Sequence, residues 1–142
     1  MTSSEERTLG VLLHLSPLIG YMLPFFGNIV APLILWSLKK NESEFVNLHG
    51  KEAINFQIST TIYALVLVLL MLGISIPLFL DLVNSGGLKE NEVFEFFMLR
   101  FLWWIPIMFI SMLVFYVPMI IGAIKAGQGK QYKSIFTIRF IK

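Results

Sequence analysis

Apolar and polar positions in this chain come in blocks. A hydrophobic stretch punctuated by prolines and glycines occupies residues 8–38, and a polar loop, Lys39-Lys40-Asn41-Glu42-Ser43-Glu44, follows it. Residues 65–72 carry no polar side chain, residues 81–92 are polar again, and residues 93–126 are mostly apolar. Several of these runs approach or exceed the ~20 residues that carry a helix across hydrocarbon. The pattern predicts an all-α fold: an integral membrane helical bundle of about four segments, a broken N-terminal hairpin plus two long helices. The expected helices cover residues 4–23, 28–40, 48–80 and 93–126 of a single domain, with a basic tail over 127–142.

Local signals set the ends of these segments. Ser3 with Glu6 three residues later fits a capping box, and Glu5 and Glu6 favour a first turn. One straight helix over residues 8–40 would run ~50 Å, too long for an upright crossing. Pro17, Gly20, Pro24, Gly27 and Pro32 crowd this span, and they predict two pieces with a turn at Pro24-Phe25-Phe26-Gly27-Asn28, Asn28 capping the second. The second reading is one kinked, tilted span. Asn47 is the expected cap of the third helix, Gly73, Ser75 and Pro77 are expected to kink its far end, and Asn84-Ser85-Gly86-Gly87 reads as a turn. Residues 93–100 read as an interfacial amphipathic segment, with Glu92, Glu95 and Arg100 beside Val93, Phe94, Phe97 and Met98. Trp36, Trp103 and Trp104 suit the membrane–water boundary.

The most polar part of the chain is Leu48-His49-Gly50-Lys51-Glu52-Ala53-Ile54-Asn55-Phe56-Gln57, which leads into the longest apolar run. On a helix, Glu52, Asn55, Ser59 and Tyr63 share one stripe at spacings of three and four, with His49 on its flank and Gln57 and Thr61 opposite. Ionisable groups at membrane depth are costly and face protein or water. The row is therefore expected to point into the bundle and, with His14 from the first helix, to form a buried polar cluster: His14, His49, Glu52, Asn55, Ser59 and Tyr63. Such a row can line a polar path, or it can hold helices together at ~0.6 kcal/mol per hydrogen bond. His14 can pair with Glu52 or His49 as a pH-sensitive cluster. The two histidines lack metal-site spacing, so no metal is expected.

Composition sharpens the class. Of 142 residues, 56% are hydrophobic and 14% charged, with a mean hydropathy of +0.77; a soluble domain carries about a quarter charged residues. The absence of cysteine removes disulfides, thiolate metal sites and cysteine nucleophiles. The first seven residues are net acidic, so the first hydrophobic stretch is expected to be retained rather than cleaved as a signal. Lys39, Lys40 and Lys51 flank one loop, and Lys125, Lys130, Lys133, Arg139 and Lys142 follow the last long run, whereas residues 81–100 carry only Lys89 and Arg100. By the positive-inside rule the C-terminus is expected to be cytoplasmic, and with the hairpin the N-terminus too, whereas one kinked span would put the N-terminus outside; the protein is expected to be multi-pass in the cytoplasmic (inner) membrane. The basic tail suits anionic lipid. Gly122, Ala123, Ala126 and Gly127 offer small residues for close packing or self-association.

Four stretches carry a likeness: His14-Leu15-Ser16; residues 27–36; residues 49–57; and Ala123-Ile124-Lys125-Ala126-Gly127-Gln128-Gly129. Together they resemble a widespread family of small prokaryotic membrane proteins grouped with the twenty-kilodalton membrane subunit of the chloroplast inner-envelope (Tic) protein translocon. The resemblance spans roughly residues 9–142 and implies a bundle of about four helical segments without implying an activity. The chain departs from it near its end, where Tyr132-Lys133 is followed by Ser134-Ile135 and not by proline.

No nucleophile–base–orienter set and no phosphate-binding glycine loop is visible. The expected protein has no catalytic, cofactor-binding or metal residues and no cofactor. It is a non-enzymatic assembly, interaction or accessory subunit, linked to protein translocation by the family analogy alone. Its expected partners are the lipid bilayer, anionic lipid at the tail, and a second copy or another membrane protein, with no nucleic acid. The alternative is a small channel or transporter module whose path is lined by Glu52, Asn55 and Ser59.

Overall fold

Ser3 and Glu6 form a reciprocal cap: the Glu6 N–H donates to Ser3 Oγ at 3.1 Å, and the Ser3 N–H donates to Glu6 Oε2 at 2.6 Å. From this cap α1 runs over Ser4–Gly20, and three more helices follow: α2 over Gly27–Lys39, α3 over Glu44–Asn84 and α4 over Glu90–Gly127. The computed structural model describes residues 2–20, 22, 26–84 and 90–142, the side chains of residues 90–92 and 100 excepted. All regular structure among the described residues is helical. The Pro24-Phe25 part of the expected turn, Ser85-Gly86-Gly87, and the side chains of Glu92 and Arg100 lie outside the described residues.

Residues 8–40 form two helices, and α1 packs directly against α2. Phe26 enters α2 with left-handed dihedrals, φ 59° and ψ 16°, and its carbonyl accepts the Ile29 and Val30 N–H groups. The expectation that Asn28 caps α2 is corrected. Asn28 lies inside the helix, and its Nδ2 donates to Gln57 Oε1 and Thr61 Oγ1, each at 3.2 Å. The face of α3 opposite the Glu52 stripe thus holds the start of α2. Asn47 is likewise not the cap of α3. The Phe45 N–H donates to Ser43 Oγ at 3.2 Å, so Ser43 fills that role one turn earlier.

The chain divides into two units, Met1–Ile62 with Phe115–Lys142, and Tyr63–Val114. In the first, Leu13, Val46 and Ala53 form a buried core against which Leu9, Leu35 and Trp36 pack. Trp36 donates its indole N–H to Asn47 Oδ1 at 2.9 Å. Its ring occupies the space that a side chain at Gly50 would fill. A buried or half-buried indole needs an acceptor, and Asn47 supplies it.

In the second unit, the α3 stretch 63–84 spans ~33 Å and the α4 stretch 90–114 ~37 Å, a match to the hydrocarbon thickness. Along α3 the half-buried positions are Ala64, Leu67, Met71, Ser75, Phe79 and Leu82, spaced three and four apart; the positions between are exposed. Phe79 meets Phe96 and Phe97 with ring centroids 6.0 and 6.1 Å apart. One narrow stripe thus joins the two arms, and most of their apolar surface faces outward. Both α3 and α4 are long and apolar enough to cross a membrane.

Candidate functional site

The C-terminal tail begins where α4 is stopped by chemistry rather than by chain length. The Gly129 N–H donates to the Ala126 carbonyl and the Lys130 N–H reaches back to the Lys125 carbonyl, each at 2.9 Å. Gly129 has φ +69°. This bonding pair with a left-handed glycine is a Schellman termination, in which glycine avoids the Cβ strain of positive φ. The turn sends residues 130–142 back along the polar face of α3.

That face receives the tail's main chain. Glu52 Oε1 accepts the Ser134 N–H at 2.6 Å. Ser59 Oγ accepts the Ile138 N–H at 2.8 Å while its own hydroxyl lies 2.7 Å from the Asn55 carbonyl. Asn55 Oδ1 accepts the N–H groups of Phe140 at 3.1 Å and Ile141 at 2.9 Å, and Asn55 Nδ2 donates to the Ile141 carbonyl at 2.9 Å. The tail has no helix or strand of its own, so its polar main-chain atoms need partners. One turn-spaced row of α3 side chains supplies them.

The histidines continue this connection. His49 Nε2 lies 3.2 Å from the Lys130 carbonyl, and His49 Nδ1 lies 3.0 Å from His14 Nε2. A carbonyl only accepts, so Nε2 of neutral His49 carries the hydrogen and Nδ1 accepts from the Nε2–H of His14. The two rings sit edge to face, centroids 5.3 Å apart, and Tyr132 stands edge-on to His14 at 6.0 Å. Burial raises the Tyr132 phenol above its ordinary value. Gly122 makes room for His14: a Cβ there would stand 2.6 Å from His14 Nδ1.

Of the six residues expected to cluster, His14, His49, Glu52, Asn55 and Ser59 are buried. Tyr63, at 36% exposure, stands outside that set. The partner of the row differs from the expectation of neighbouring helices. Sequence reasoning missed the tail because Ser134, Ile138, Phe140 and Ile141 contribute main-chain atoms, which no side-chain pattern reports. The one available signal was Gly127-Gln128-Gly129 as a helix stop. Among the described residues, no three His, Asp or Glu side chains converge as a metal site would require.

An all-helical membrane protein with two membrane-length arms, and a polar helix face occupied by its own tail, is the class these features define. The chain belongs to the magnetosome magnetite crystal formation protein family (MamF/MmsF), whose pattern matches residues 5–141. This corrects the translocon resemblance: the stretches at residues 14–16, 27–36, 49–57 and 123–129 all lie within the magnetosome family match, and the link to protein translocation falls with it. Comparison with curated proteins and with solved structures returns no significant match.

Proposed function

We propose that this protein is a non-enzymatic membrane component of magnetite crystal formation, acting as an accessory or assembly subunit. The observation that carries the reading is the state of the polar row. Glu52, Asn55 and Ser59 are buried, and each hydrogen-bonds the tail's main chain. Groups held this way position a chain segment; an ion path needs polar groups open to the permeant species. The same occupancy weighs against the channel reading. Family membership supplies the process.

In this reading the arms of α3 and α4 anchor the protein as a multi-pass component, and the basic residues near the helix ends favour a cytoplasmic side for the 40–43 loop and both termini. The outward apolar surface of the arms contacts lipid, a second copy or another membrane protein. The test is made in the cell that produces the protein. Deleting the gene is expected to change the size or number of magnetite crystals seen by electron microscopy. Restoring an Asn55→Ala copy, with the protein still recovered in the membrane fraction, is expected to leave part of the defect. Crystals indistinguishable from wild type after deletion would overturn the proposal. Measurable ion flux through the reconstituted wild type, lost in Glu52→Ala, would favour the channel.

A further inference from the structure

We propose that the cavity between α3 and the C-terminal tail binds a phosphate-bearing anion, either a phospholipid headgroup or inorganic phosphate. The cavity measures about 210 Å³ and lies wholly within the first unit. Four of its lining residues are cations, Lys51 from α3 and Lys133, Arg139 and Lys142 from the tail. Against them stands one side-chain carboxylate, Glu52, whose Oε1 is taken by the Ser134 N–H. Among the described residues none of the four cations has an acidic partner, and the ion pair found among them, Lys39 with Glu42, lies elsewhere. Cations gathered around a concave site without counter-charge repel one another, and an anion relieves that cost.

The cluster exists only because the tail is clamped. Asn55 binds the main chain at Phe140 and Ile141, which brings Arg139 and Lys142 to the same wall as Lys51. Glu52 binds at Ser134 and holds Lys133 beside them. Main-chain segments that carry cations more than eighty residues apart in sequence are thus held together before any ligand arrives, which lowers the ordering cost of binding. Arginine offers a planar fork for two phosphate oxygens, and lysine a compact charge. The same tail exposes Ile135, Phe136, Ile138 and Phe140, Ile135 at 91%. Apolar side chains interleaved with cations fit the boundary between headgroups and acyl chains, which favours the lipid source. The site is independent of any role in crystal formation.

The experiment uses the full chain in neutral detergent, titrated separately with a short-chain soluble phosphatidylglycerol, the matching phosphatidylcholine, and inorganic phosphate. Binding is read as the shift in Tm and as phosphorus NMR line broadening. Saturable binding of phosphatidylglycerol well above phosphatidylcholine is expected. The double variant Lys51→Gln/Arg139→Gln should weaken it by roughly tenfold or more. Lys142→Gln, which removes one cation where the double variant removes two, should weaken it less, and Lys125→Gln, outside the cavity, should not change it. Binding of inorganic phosphate with the same variant pattern, without preference between the lipids, assigns the site to the free anion. No saturable binding of either phosphate source, or equal loss in Lys125→Gln, would overturn the proposal.

Discussion

Glu52 Oε1 accepts the main-chain N–H of Ser134 at 2.6 Å across 82 positions of sequence. A buried carboxylate that binds one peptide group at the start of a non-helical segment fixes where that segment lies. Glu52→Ala removes the acceptor and leaves the Ser134 N–H without its partner, a loss of about 1.5–3 kcal/mol. The measurement is amide hydrogen exchange in detergent. Exchange at Ser134 should accelerate first in Glu52→Ala, with the helical amides of α1 unchanged. Unaltered exchange at Ser134 would remove the clamp from the account.

Asn55 makes three bonds to the tail where Glu52 makes one. Asn55→Ala should therefore release residues 138–142 more completely than any other single change on this face, at about 1 kcal/mol per bond lost. Asn55→Asp keeps the acceptor for Phe140 and Ile141 and loses only the donor to the Ile141 carbonyl, so its effect on Phe140 exchange should be smaller. Equal acceleration in both variants would contradict the assigned amide orientation.

Gly122 faces the His14 ring with no room for a methyl group. Gly122→Ala forces the ring away from His49 and should cost about 1–3 kcal/mol by overpacking. Nitrogen NMR of labelled histidine should report loss of the bond between the two rings, and the Tm should fall. A variant with wild-type histidine signals would show that the contact is looser than the geometry states.

The Glu6 carboxyl accepts from the Ser43 hydroxyl, which ties the first turn of α1 to the cap of α3. That bond, with the Ser3 main-chain bond next, holds Glu6 below its ordinary value of 4.5. A group depressed in the folded state stabilises above its unfolded value and loses that contribution as pH falls through the folded value. Stability should thus decline on acidification below about pH 4.5, and Glu6→Gln should flatten this part of the profile. Thermal unfolding of both proteins from pH 6 down to pH 3 checks it; parallel profiles would exclude Glu6 as the source.

Thr137 Oγ1 is buried without a hydrogen-bond partner. An unpaired buried hydroxyl destabilises, so the isosteric Thr137→Val should raise stability by up to about 1 kcal/mol. A fall in Tm would mean that the hydroxyl has a partner in solution.

What the linear chain determined is what local chemistry can encode. Helix number and class follow from run lengths, because a main chain in hydrocarbon must bond within its own segment. The Ser3–Glu6 cap and the alignment of Glu52, Asn55 and Ser59 on one stripe follow from spacings of three and four, which any helix obeys. The caps of α2 and α3 went to Phe26 and Ser43 instead of Asn28 and Asn47, because both asparagines found acceptors or donors on neighbouring helices. Only the tertiary structure decided what the polar row holds. Its partners are main-chain atoms 79 to 86 residues away, and peptide groups look alike in every sequence. The gathering of Lys51 with Arg139 and Lys142 depends on the same return of the tail along α3, which no periodicity announces.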